Sequence, residues 1–113
     1  MTNYPDAKLI GRRLTAFRLA KKFNTQAEMA KAIGAEHRQY HVWEKGRGKI
    51  PVAYAVRMKE IFGITLDFIY AGDLNGMPSS IGNIISLYLD EGLNDRPIKI
   101  RSQDRKTQEM CSP

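Results

Sequence analysis

The chain has 113 residues, 42 % of them hydrophobic, and carries 18 Lys and Arg against 12 Asp and Glu, a net charge of +6. No apolar run approaches the roughly 20 residues that span a bilayer, the N-terminal MTNYPDAK lacks a signal-peptide core, and the lone Cys111 can close no intrachain disulfide, so membrane-spanning and disulfide-framework classes are excluded and the cytoplasm is the expected compartment. The charge is uneven: residues 1–72 carry a net +7 and residues 73–113 a net −1, which places a field attractive to polyanions on the first two thirds of the chain.

Residues 1–8 are expected to form a flexible leader, with Pro5 ahead of the first helix. That helix is expected over about residues 9–22, where Ile10, Leu14 and Phe17 repeat at i, i+4, i+7. Arg12, Arg13, Lys21 and Lys22 then face solvent or a phosphate. Thr25 and Glu28 fit a capping box at the start of a second helix. Its exposed backbone N–H groups suit a phosphate.

The most informative stretch is Gln26 to Gly46, QAEMAKAIGAEHRQYHVWEKG. Met29, Ala30 and Ile33 form one apolar set and Tyr40 and Trp43 a second. Gly34 lies between them, where the chain must turn and a left-handed residue is cheap. Ala30 is small where a second helix would cross the first. The third helix, about residues 36–45, is left with His37, Arg38, Gln39, His41 and Val42 facing outward, a face that can hydrogen-bond and is not acidic. This is the layout of a helix-turn-helix, whose second helix enters the major groove. On it Arg38 could pair with guanine, Gln39 with adenine or a phosphate, and Val42 with a thymine methyl.

Downstream, Lys45, Arg47 and Lys49 alternate with Gly46 and Gly48, so the backbone can approach phosphates closely. The absence of a GK[ST] ending and of a preceding strand argues against a nucleotide-binding loop. Pro51 opens a fourth helix with Val52, Ala55, Val56, Lys59 and Phe62 near one face and Met58 and Ile61 on its flank, and Gly63 stops it. Thr65 caps a short fifth helix that Gly72 closes, with Leu66, Phe68 and Ile69 completing the core and Tyr70 either joining them or facing a partner.

Residues 74–92 form a turn-rich linker and a sixth helix, capped by Ser79 or Ser80, running from about Ile81 to Glu91 and stopped by Gly92. Its stripe Ile81, Ile84, Ile85, Tyr88 must be covered, by the core or by the same helix of a second subunit. Residues 93–113 are polar and aperiodic and are expected to be disordered. Ile98 and Ile100 within PIKIR alternate and could add an edge strand to a partner.

The order Gln26, Ala30, Gly34, Trp43, Glu44, Gly46, Pro51, followed by ITLDFIYAGD, resembles the Xre/Cro-type helix-turn-helix of phage repressors and bacterial regulators over about residues 9–73. The resemblance implies an all-α, five-helix lambda-repressor-like domain, here with an additional C-terminal helix and a flexible tail. It implies that Gln26, with Thr25 beside it, contacts a DNA phosphate, and that Arg18 of the first helix pairs with Glu44 at the end of the recognition helix. Glu36 departs from the Ser or Thr usual near that helix start. An acid there suits the helix dipole but repels a nearby phosphate.

The leading expectation is a double-stranded-DNA-binding transcriptional regulator, a repressor acting by operator occupancy as a homodimer. The alternative is an antitoxin-like module whose C-terminal region binds a protein partner. No nucleophile–base constellation supports an enzyme and no cofactor is implied. His37 and His41 share metal-ligand spacing, but no third ligand is near, so no metal site is expected.

Overall fold

The computed structural model describes residues 6–90, which form six helices: α1 (Ala7–Ala20), α2 (Gln26–Ile33), α3 (His37–Glu44), α4 (Val52–Phe62), α5 (Leu66–Ala71) and α6 (Ser79–Asp90). Gly92, the tail over residues 93–113 and its edge-strand segment lie outside the described residues, as does the leader up to residue 5. The expected leader is too long. Asp6 is an N-cap whose side chain accepts from Lys8 N at 2.9 Å, so Ala7 and Lys8 belong to α1.

Local chemistry explains where the helices begin and end. Thr25 and Glu28 make a reciprocal capping box on α2. Thr65 caps α5 through Phe68 N. Gly34, Gly63 and Gly72 end α2, α4 and α5 in the left-handed conformation. Pro51 is the N-cap of α4 rather than part of its first turn. α1 ends without a glycine: Lys22 takes φ 69°, and Phe23 N returns to the Arg18 carbonyl.

The helices assemble around α1, which packs against α3, α5 and α6, while α2 packs on α3 and α4. For this reason α1 is buried over far more than one stripe. Every residue from Leu14 to Ala20 is buried, along with Ile10 and Gly11. Gly11 is the closest approach, because a Cβ there would stand 2.5 Å from the Glu44 carbonyl and 2.7 Å from that of Trp43. The missing side chain lets α1 lie directly against the C-terminal end of α3.

Cations on the helix surfaces also serve the fold, Arg12 and Arg57 while exposed and Arg13 and Lys21 while half-buried. Arg13 donates to the Ile69 carbonyl and Arg12 to that of Leu89, each near a helix C-terminus where backbone carbonyls lack partners. Arg57 does the same at Ile33 and lies over the Tyr54 ring. Lys21 sits over the Phe62 ring.

The face assigned to α4 needs correction. Val52 is 61 % exposed and Lys59 is also exposed, whereas Ala55 and the flank residue Met58 are fully buried. The apolar residues that complete the core here lie in connections, Ile50 before α4 and Ile64 after it. Periodicity cannot mark either of them. Tyr70 is half-buried and donates to the Ile50 carbonyl at 2.7 Å. The α6 stripe turns inward on α1: Ile85 and Tyr88 are buried, and Ile81 and Ile84 pack against the core. Among the described residues no helix is long and apolar enough to cross a membrane.

Candidate nucleic-acid interface

The site is built on α3 and on what fixes its orientation. α3 lies across α1 and against α2, with Tyr40 and Trp43 buried and edge-to-face at 6.0 Å. This inner pair sets which residues face out. His37, Arg38 and Gln39 are exposed, and His41 and Val42 are half-buried. Val42 leans toward Gly48 and the core, so it offers the outer surface only part of its side chain. His37, Arg38 and His41 together line a shallow depression on the surface.

A buried ionic centre holds the C-terminal end of α3. Arg18 and Glu44 are 1 % and 7 % exposed, and Arg18 Nε lies 2.8 Å from Glu44 Oε2. Arg18 Nη2 lies 3.3 Å from Oε1, and Nη1 donates to the Phe23 carbonyl. Thr15 Oγ1 stands 2.9 Å from Glu44 Oε1 and 3.0 Å from its own helix's Gly11 carbonyl. With one proton it serves one acceptor at a time, and the carboxylate is the stronger. Gln26 Nε2 completes the set at 3.0 Å from Oε1. A buried pair so satisfied loses about 3–5 kcal/mol when one partner is removed, because the other charge is left unpaired.

This centre gives Gln26 a role that differs from the one the resemblance implies. Its amide spans inward to Glu44, and its oxygen meets His41 Nδ1 at 2.8 Å. The start of α2 is thereby tied to the outer side of α3. Thr25, one residue earlier, is exposed, but its hydroxyl accepts from Glu28 N in the capping box. Lys45, Arg47 and Lys49 are exposed in the connection that follows α3. There Gly46 adopts φ 76° and lies against Lys8 of α1. The Arg47 N–H returns to the Val42 carbonyl and holds the connection close to α3.

The net result is a surface with cations and hydrogen-bonding groups outward and one of the two acids from Glu36 to Lys49, Glu44, neutralised inside. The other, Glu36, is the exposed N-cap of α3 and makes no side-chain cap bond. No three His, Cys, Asp or Glu side chains gather as a metal site among the described residues.

Thr15 and Gly11 are the positioning residues that sequence reasoning passed over. A glycine inside a helical pattern costs about 1 kcal/mol relative to alanine. Gly11 could have been flagged as a close approach on that ground. Thr15 gave no comparable signal. No family model, curated protein or solved structure matches this chain.

Proposed function

We propose that this chain is a sequence-specific double-stranded-DNA-binding regulator, a repressor acting by operator occupancy, with α3 in the major groove. One observation carries the reading. The C-terminal end of α3 is anchored by a buried ion pair while His37, Arg38 and Gln39 stay exposed beside Lys45, Arg47 and Lys49. Exposed donors on a helix 8 residues long suit base edges, and the cations of the next connection suit the flanking phosphates. The residues that resemble Xre/Cro-type regulators support the same reading, with residues 9–73 as a lambda-repressor-like domain. Binding as a homodimer to half-sites about 34 Å apart belongs to this proposal. The α6 stripe lies on α1, so a dimer contact would have to use other surface.

The test is selection from a randomised duplex library, followed by titration of the recovered site against salt. The expected outcome is a palindrome with half-sites one helical turn apart. Arg47→Ala and Lys49→Ala should each weaken binding to every sequence and lower the salt slope by about one unit. Recovery of no motif, with weak salt-sensitive binding alone, would overturn the reading and move the chain to the protein-interaction class.

A further inference from the structure

We infer that the hydrogen-bond chain Arg18–Glu44–Gln26–His41 makes His41 a specificity-determining residue that presents a lone-pair acceptor and selects an amino group, of adenine or cytosine, in the major groove. The inference rests on the DNA-binding reading above and names what one position of that surface recognises.

Glu44 is paired with the Arg18 guanidinium at 2.8 Å, and an ionised carboxylate can only accept. The end of the Gln26 side chain that lies 3.0 Å from Glu44 Oε1 must therefore be its NH2 group. The amide oxygen is then left facing His41 Nδ1 at 2.8 Å. An amide oxygen also only accepts, so Nδ1 must carry the proton. In a neutral imidazole, a proton on Nδ1 leaves the lone pair on Nε2. The ring lines the outer depression with His37 and Arg38, and Nε2 has no partner among the described residues.

The major groove offers amino donors from adenine N6 and cytosine N4, while guanine O6 and N7 and thymine O4 are acceptors. A lone pair at Nε2 bonds the first set and repels the second. Gln26 is the positioning residue, because it acts on the base through His41. Glu44 fixes the direction of the Gln26 amide, so one buried carboxylate sets the polarity of a surface contact through two side chains.

The experiment uses the full chain labelled with nitrogen-15 in histidine and records ring proton–nitrogen spectra at pH 8, where an ordinary imidazole is neutral. The protein has two histidines, and His41→Ala assigns the second set of signals. His41 should appear protonated at Nδ1 in the wild type and shift toward the Nε2-protonated form in Gln26→Ala. Site selection on the same proteins should show adenine or cytosine preferred about fivefold, the value of one hydrogen bond, at the position that becomes degenerate in His41→Ala. In Gln26→Ala that preference should be lost or pass to guanine or thymine. A proton on Nε2 in the wild type, an unchanged form in Gln26→Ala, or guanine or thymine at the His41 position would each overturn the inference. If no site is enriched by any of the proteins, the DNA reading and the base selection fall together. The ring spectra then still decide whether the hydrogen-bond chain exists.

Discussion

Among the described residues the buried Tyr40 hydroxyl makes no well-aligned hydrogen bond, although the Glu44 carboxylate is close enough to draw on its proton. An unsatisfied buried polar atom costs about 1–3 kcal/mol of desolvation. Tyr40→Phe keeps the ring that packs edge-to-face on Trp43 and removes that cost, so it should raise stability by about 1 kcal/mol in denaturant titration. A loss of similar size would mean that the hydroxyl bonds Glu44 in solution. Burial first, then the neighbouring Glu44 charge and the hold of its carboxylate on the hydroxyl proton, keep the Tyr40 hydroxyl well above its ordinary pKa, against a smaller opposing pull from Arg18. The sign follows: the folded chain keeps a proton that the unfolded chain releases near pH 10, so stability is full below that pH and falls as pH rises through it. Burial shifts Tyr70 in the same direction, so Tyr40→Phe should reduce the alkaline fall without abolishing it. At this scale the inward direction of Tyr40 and Trp43 was legible from their spacing, and the Arg18–Glu44 pair was suggested by resemblance. Gln26 was not legible, because the direction of an amide depends on a carboxylate 18 positions away.

Gly11 and Gly82, in α1 and α6, separate close approach from ordinary helix propensity. A Cβ at Gly11 meets two backbone carbonyls of α3, and neither can rotate aside. Gly11→Ala should therefore cost about 2 kcal/mol by forcing α1 from α3. A Cβ at Gly82 meets nothing within 4 Å, and Gly82→Ala should stabilise α6 by about 0.5–1 kcal/mol. Equal effects at the two sites, read by thermal and chemical denaturation, would contradict the packing described for α1 and α3. Element boundaries were legible where a side chain or a glycine writes them, as at Thr25, Gly34, Gly63, Thr65 and Gly72. Asp6 was overlooked as a cap, and the α4 face was rotated because Val52 and Lys59 were grouped with Ala55 while Met58 was left on the flank. Ile50 and Ile64 were missed because residues in connections belong to no helical period.

Across the whole molecule, α1 sits at the centre, with α3 fixed against one side and α6 covering another. The sequence left two covers open for the α6 stripe, and the packing of α6 on α1 answers with the chain's own core. A 3.6-residue period reports that a face is apolar but not what lies against it. The candidate surface was legible in outline, since the two apolar sets of residues 26–46 leave His37, Arg38 and Gln39 outward. The half-buried state of His41 and Val42 was not, because it depends on Gln26 and Gly48 approaching from α2 and from the next connection.

The central claim is that the outer face of α3 reads DNA sequence. Its most direct test is site selection from a randomised duplex library with the wild type and Arg38→Ala in parallel. Arg38 is exposed on that face, and a bidentate contact to guanine is worth about 1–3 kcal/mol of discrimination. The expected result is a shared site in which Arg38→Ala loses preference at one base pair per half-site and keeps the rest. Identical sites, or an equal loss of affinity for selected and random duplexes, would contradict the claim.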